Sequence, residues 1–289
     1  MNLTLMNNRI YSTINLIILA IFFASCELIN PAEPVPAYLS VDSISFSSFY
    51  NTQGTASHGI LDGWVYVDNV LQGAYEMPFT IPVTNTGTHT ISIHPGIKVN
   101  GISSLRSANP LYTYYDTIVN LEPEKTTKIN PRSTYINGAK FYLVDDFDDG
   151  GNKFVRDADS DTSFVSTSEA FEGPYSGLII LDSTRIRFSA VSFNHFTLIK
   201  GATNVIELNY QCNNSFVVGV KRTYFGQSVR KDILTVLPSN NQWKKIYISL
   251  VDEVNSNNAD YYNLYFFTQR TTTDSVATVT LDNIKIVYN

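Results

Sequence analysis

Ala277-Thr278-Val279-Thr280-Leu281-Asp282-Asn283-Ile284-Lys285-Ile286-Val287-Tyr288 is the stretch that decides the fold class. Side chains of a strand alternate between two faces. Ala277, Val279 and Leu281 therefore share one face, apolar at odd positions. Ile284, Ile286 and Tyr288 are apolar at even positions. The phase slips by one residue at Asp282-Asn283, as a β-bulge produces, because one extra residue re-aims the strand. A helix would need an i, i+3, i+4 stripe instead, and none is present.

Outward from this strand the same period recurs. Ile206, Leu208, Tyr210 and Cys212 fall on one face. Ile246, Ile248 and Leu250 make an aliphatic face, which leaves Trp243, Lys245 and Tyr247 opposite. In Tyr261-Tyr262-Asn263-Leu264-Tyr265-Phe266-Phe267, the residues Tyr262, Leu264 and Phe266 oppose Tyr261, Tyr265 and Phe267. Further upstream, Trp64-Val65-Tyr66-Val67 and His89-Thr90-Ile91-Ser92-Ile93 alternate between Gly, Asn, Asp and Pro turn residues. Short alternating runs between turn clusters predict an all-β chain of sandwiches. A prior of about 150 residues per domain makes two domains the expectation for 289 residues. The predicted boundaries are 37–135 and 140–289.

Composition narrows the function. Hydrophobic residues are 44% and charged residues 16%, the reverse of a disordered chain. A net charge of −6 with no basic block argues against a nucleic-acid surface. Two cysteines make neither a disulfide framework nor a four-ligand zinc site. Cys212, on an apolar strand face with no adjoining His, reads as a structural thiol. His58, His89, His94 and His195 form no metal or triad motif, and no phosphate loop or G-x-S-x-G occurs. Glycosidases need paired carboxylates, and nothing in the sequence pairs any two of Glu76, Glu122, Glu169, Glu172, Glu207 and Glu253. The expectation is a protein that is not an enzyme.

The N-terminus reads as an export signal. Arg9 precedes the apolar run Leu16-Ile17-Ile18-Leu19-Ala20-Ile21-Phe22-Phe23, which ends in Ala24-Ser25-Cys26. The run is shorter than the ~20 residues of a membrane span and suits a signal peptide, 1–25. Small residues before a cysteine resemble a bacterial lipobox, with Phe23 in place of the usual Leu, as in envelope lipoproteins of the Bacteroidota type. The resemblance implies cleavage before Cys26, lipidation of its thiol and acylation of the new amine. It implies a lipid-anchored outer-membrane protein, with either face of that membrane open. Pro31, Pro34 and Pro36 suit 26–36 to an extended, lipidated tether.

Two further resemblances concern the domains. The order V-x-V-D, then G, P and P, then G-x-H-x-I-x-I-x-P-G, carried by Val65–Asp68 and Gly87–Gly96, resembles PEGA-like and other small immunoglobulin-like envelope modules. It implies a spacer or interaction domain. Asp146-Phe147-Asp148, Glu172-Gly173-Pro174-Tyr175-Ser176, the Trp243 strand and Asp282-Asn283-Ile284-Lys285-Ile286 stand in the order found in carbohydrate-binding modules and galactose-binding-like jelly-rolls. The second resemblance implies a glycan-binding jelly-roll.

Two candidate sites emerge. Asp145, Asp146, Asp148 and Asp149 crowd one turn, and Asp157, Asp159 and Asp161 succeed them at alternate positions. Hard cations take six to eight oxygens. Thr162 and Ser168 stand where an EF-hand needs Gly and Glu, so that loop is rejected. The jelly-roll resemblance implies instead a structural calcium held by Asp146, Asp148 and Asp282. The second candidate is a sugar platform of Trp243, Tyr247, Tyr261 and Tyr265, the aromatics opposite the aliphatic faces. It requires both strands in one sheet, with that face uncovered. Two function classes stay open: a glycan-binding envelope lipoprotein, and a structural or protein-interaction lipoprotein with an envelope protein partner and no sugar ligand.

Overall fold

The computed structural model describes residues 34–271 and 276–289. The signal segment, Cys26 and most of the tether lie outside the described residues. The chain is all-β, two β-sandwiches in tandem.

The first sandwich packs two sheets. One orders β5 (Phe79–Val83), β1 (Ala37–Val41) and β9 (Thr126–Ile129). The other orders β4 (Val70–Glu76), β3 (Asp62–Val67) and β6 (Gly87–Lys98), and β6 pairs along its far edge with β8 (Tyr115–Leu121) and β7 (Arg106–Ala108). A small pair, β2 (Ser45–Phe46) with β10 (Arg132–Ser133), lies beside them. Leu39 and Val41 face Val65, Val67, Ile91 and Ile93 in one core.

The second sandwich is a jelly-roll. Its first sheet orders β13 (Val165–Thr167), β14 (Ser176–Leu181), β21 (Ala277–Tyr288), β16 (Asn204–Cys212) and β19 (Lys244–Ser249), with β11 (Lys140–Asp145) also on β21. Its second sheet orders β12 (Phe154–Arg156), β15 (Arg187–Ser192), β20 (Tyr261–Gln269), β17 (Phe216–Tyr224) and β18 (Gln227–Val236). Between the sheets lie Ile206, Leu208, Cys212, Ile246, Ile248, Leu264 and Phe266. Phe164 packs edge-on against Phe188, with ring centroids 4.9 Å apart. Burial holds the Cys212 thiol above its ordinary pKa, so it is a packed group rather than a nucleophile.

The bulge in β21 decides which side chains face the first sandwich. Asn283 takes φ 52°, and the ladder with β16 shifts between Glu207 and Asn209. Asp282 Oδ1 accepts the Asn283 N–H at 2.7 Å, which supports that left-handed turn. Ala277, Val279 and Leu281 enter the core before the bulge, and Ile284 and Ile286 enter it after. Without the slip, Lys285 and Val287 would point into that core. With it they point outward, and Val287 joins the core of the first sandwich.

The outer face of the first jelly-roll sheet is therefore an interface. Glu207, Lys245 and Lys285 are buried there. Lys245 Nζ and Lys285 Nζ stand 3.5 and 3.9 Å from the same oxygen, Glu207 Oε2. Tyr135 of the first sandwich donates its hydroxyl to that oxygen at 2.9 Å, and its ring lies 4.9 Å from Lys285 Nζ. Lys285 Nζ also donates to the carbonyls of Gln53 and Thr55, at 2.8 and 2.9 Å. These carbonyls sit at and just beyond the short helix α1 (Tyr50–Gln53). Asn209 Nδ2 donates to Ser57 Oγ at 2.9 Å. The backbones join as well: Val99 bridges Tyr247, and the Asn100 N–H donates to the Tyr247 carbonyl at 2.8 Å. Burial pushes the Lys245 ammonium below its ordinary pKa and brings Lys285 to about 7, against the opposing pull of Glu207.

Removing one partner of a buried ion cluster leaves the others uncompensated, at about 3–5 kcal/mol. Glu207→Gln is expected to cost that much near neutral pH. Lys285 holds its proton less tightly folded than unfolded, where its pKa is about 10.4. The unfolded chain thus binds more protons between about pH 7 and 10.4, and this group's contribution to stability rises with pH there. The deficit of Glu207→Gln should shrink toward the alkaline end of that window as the lysines discharge. Urea unfolding of both proteins across it is the check, and a pH-independent deficit would count against the cluster.

Candidate functional site

With the first sheet's outer face covered, the outer face of the second sheet is the exposed side of the jelly-roll. Period two sends Tyr261, Asn263, Tyr265 and Phe267 of β20 to this side, since Tyr262, Leu264 and Phe266 enter the core. The ladders place Val191 and Gly219 beside Tyr265, Ser189 and Val217 beside Phe267, and Lys221 beside Asn263. The result is a row of three aromatics set among hydrogen-bonding groups.

Each member is held. Tyr265 is seated against Gly219, where a Cβ would lie 2.2 Å from ring atom Cε1 and 2.6 Å from the Lys231 carbonyl oxygen. Only glycine lets the ring lie that close to the sheet. The Arg230 guanidinium stands over the same ring, 5.5 Å from its centroid, and pairs with Asp157. The Arg187 guanidinium stands 4.9 Å from the Phe267 centroid and pairs with Asp159. Such contacts are worth about 0.5–2 kcal/mol each and fix the planar forks in place. Asn263 Nδ2 donates to the carbonyls of Ser192 and Asn194, both at 3.0 Å. The Tyr261 ring lies 4.5 Å from that of His195. Both arginines have carboxylate partners, and with Lys221 this face combines aromatic planes, polar hydrogen-bonding groups and a cation.

The four aromatics expected to form one platform are divided. β19 and β20 are consecutive in sequence but belong to opposite sheets. The helix α2 (Val251–Asn255) carries the chain across between them, with Val254 in the core. Tyr261 and Tyr265 stand on the outer face of the second sheet. Tyr247 is buried against the first sandwich, where its hydroxyl accepts the Gly59 N–H at 2.7 Å and meets the Tyr112 hydroxyl at 3.1 Å. Trp243 is half-buried just before β19 and packs edge-on against Phe171 at 5.7 Å. Neither Trp243 nor Tyr247 belongs to a surface shared with Tyr261 and Tyr265. Tyr265 itself is buried, at 3% exposure, beneath Arg230.

The three aspartates expected to hold calcium accept hydrogen bonds from neighbouring groups in this structure. Asp282 Oδ2 accepts the N–H groups of Phe171 and Glu172, at 2.9 and 3.2 Å, and Oδ1 accepts that of Asn283. Burial lifts its pKa to about 7, opposed by these three donors. It anchors the 171–172 loop to the bulge. Asp146 Oδ2 and Asp148 Oδ2 both accept from the Tyr50 hydroxyl, and Asp146 Oδ1 faces the Asp148 N–H. Asp148 Oδ1 alone of these oxygens is buried without a hydrogen-bond partner. Among the described residues no three His, Cys, Asp or Glu side chains converge on a metal position.

Arg187, Arg230, Asn263 and Gly219 escaped the sequence reading. Each lies at a position of the right parity, but only strand pairing brings them to β20. The alternation of Asp157, Asp159 and Asp161 was the one signal. Asp157 and Asp159 pair with the two arginines, and Asp161 accepts the N–H groups of Ile186 and Arg187.

No protein-family model matches the chain, and no curated protein does. Among solved structures it is similar to the second family 22 xylan-binding domain of Paenibacillus barcinonensis Xyn10C, at 14% identity and a TM-score of 0.37, over 50% of this chain and 97% of that one. It is similar to the C-terminal family 22 carbohydrate-binding module of Clostridium thermocellum Xyn10B, at 16% identity and 0.37, over 50% and 91%. It is also similar to the family 11 module of the C. thermocellum cellulase Lic26A-Cel5E, at 12% identity and 0.37, over 50% and 93%. Likenesses this slight carry no weight for the ligand, which rests on the geometry of the aromatic row.

Gly219→Ala tests how the row is seated. The added methyl must displace the Tyr265 ring or lift β18 from β17, at about 1–3 kcal/mol by the usual cost of overpacking. A lowered denaturant midpoint is the expected result. An unchanged midpoint would mean that the ring does not lie on Gly219.

Proposed function

We propose that this chain is a non-catalytic, lipid-anchored envelope protein that binds a glycan on the outer face of the second jelly-roll sheet. The observation that carries this reading is the pair of partly exposed rings Tyr261 and Phe267, with Arg187, Arg230 and Asn263 among them and Tyr265 buried beneath Arg230. Sugar rings present C–H faces that pack on aromatic planes, and hydroxyls that need donors and acceptors beside those planes. Aromatic rings supply large, rigid contact area, and Tyr adds a polar edge. The pairing of Arg187 with Asp159 and of Arg230 with Asp157 leaves the two guanidinium groups charge-compensated, which suits them to bond sugar hydroxyls. In this reading the first sandwich braces the jelly-roll. Cys26 carries the acyl chains that hold the protein at the outer membrane.

A second reading has one observation in its favour. Phe225, at the tip of the β17–β18 hairpin, is 97% exposed with φ 46°. A bulky residue in the left-handed region costs about 1–2 kcal/mol, and here it covers nothing of its own chain. A structural or protein-interaction lipoprotein would use such a tip.

A glycan array on the purified protein, repeated with Tyr261→Ala/Phe267→Ala, separates the two. Both rings are partly exposed and outside the cores, so the melting temperature should stay within a few degrees, as for surface changes of about 0.5 kcal/mol. Binding of a neutral glycan should fall at least about fivefold, the loss of two stacking contacts of about 0.5–1.5 kcal/mol each. No bound glycan, or equal binding by the variant, would leave the protein-interaction reading in first place. For the anchor, Cys26→Ser should move the protein out of the detergent phase or leave an uncleaved precursor. Unchanged partitioning and mass would remove the lipid from the account.

A further inference from the structure

A groove runs along the junction of the two sandwiches. Its walls include His58, Lys98 and Ser103 from the first sandwich, and Tyr210, Lys244 and Lys245 from the jelly-roll. No Asp or Glu is among the residues that line it, although the chain as a whole is acidic, at −6. The walls are fixed to one another by the Val99–Tyr247 backbone bridge and by the Ser249 N–H donating to the Asn100 side-chain Oδ1 at 2.9 Å. The groove exists because the sandwiches are docked.

A second observation comes from beneath its floor. Two buried ammonium groups, Lys245 and Lys285, share one carboxylate, Glu207. Lys285 has carbonyl acceptors as well. Lys245 Nζ is buried with no hydrogen-bond partner, its nearest carboxylate oxygen being 3.5 Å away. On its buried side Lys245 feels Glu207, Glu172 and Asp282, so the positive character belongs to the groove side, where Lys98 and Lys244 stand with no acid among the lining residues. His58 Nδ1 accepts the Ile60 N–H at 3.3 Å, which leaves its Nε2–H as a donor. Ammonium, imidazole N–H and hydroxyl donors without a competing acid are the chemistry that recognises an oxyanion.

We propose that this junction groove binds an oxyanion, a carboxylate or a sulfate, through Lys98, Lys244 and His58. The site is separate from the aromatic row and does not depend on it. Binding would add favourable contacts only in the docked arrangement, and so would stabilise the interface by mass action.

The test is calorimetric titration of the purified protein with sodium sulfate and with trigalacturonate, in dilute chloride buffer. Saturable binding of either probe is expected, weakened by added chloride as screening requires. Lys98→Ala/Lys244→Ala should weaken it at least about tenfold, the loss of charge-assisted hydrogen bonds. Lys244 is exposed, so Lys244→Gln alone, expected at roughly threefold, serves should the double variant melt early. Tighter binding of trigalacturonate than of sulfate would assign the oxyanion to an acidic saccharide, and the reverse order to a free anion. Tyr261→Ala/Phe267→Ala should leave both titrations unchanged, so this site and the glycan row fail or stand separately. Absence of saturable binding, or equal binding by the lysine variants, would overturn the proposal.

Discussion

Two lysines and one glutamate, all out of water, meet at a single oxygen, and the arrangement of the molecule depends on that meeting. Desolvating three charges is unfavourable unless hydrogen bonds surround them. The first sandwich provides these: the Tyr135 hydroxyl, the Tyr135 ring, and the carbonyls of Gln53 and Thr55. Neither sandwich could leave its half exposed without changing character. The jelly-roll would show a charged, aromatic sheet face. The first sandwich would open a core that Tyr247 and Val287 help to close. Docking is therefore part of folding rather than a loose contact of two finished domains. It also decides which face is left for a ligand. The first sheet is used up at the junction, and the second keeps Tyr261 and Phe267 in reach of solvent.

Much of the fold was legible because period two is a local property. The strands near 206–212, 244–249, 261–267 and 277–288, their core faces, and the phase slip at Asp282-Asn283 all come from side-chain alternation. The slip had a consequence that alternation cannot show. It sends the Lys285 ammonium to the interface, where Glu207 waits on the neighbouring strand at the paired position. Sequence neighbours Asp282 and Asn283 mark the bulge, but its partner loop at 171–172 is more than a hundred residues away.

The candidate site was legible only by half. Tyr261 and Tyr265 have the right parity, and parity suffices to put them on a non-core face. Parity does not say which sheet a strand joins or what covers that face. Trp243 and Tyr247 obey the same rule as Tyr261 and Tyr265, yet their strand entered the sheet against which the first sandwich packs. The arginines that complete the row lie on β15 and β18, the one beside β20 and the other beyond β17. The aspartates read as a cation cluster act instead as partners of those arginines and of backbone N–H groups. A local density of acids signals that counter-charges or donors are needed, not which ones arrive.

The central claim is that the Glu207 cluster docks the sandwiches and so exposes one sheet face while covering the other. Hydroxyl-radical footprinting of the tyrosine side chains in the native protein reads this directly. Tyr112, Tyr135 and Tyr247 are buried at the junction, whereas Tyr261 is partly exposed. The account predicts strong modification of Tyr261 and protection of the other three, with Glu207→Gln raising the reactivity of Tyr135 and Tyr247 and leaving Tyr261 as it was. Native Tyr247 reacting as fast as Tyr261 would contradict it.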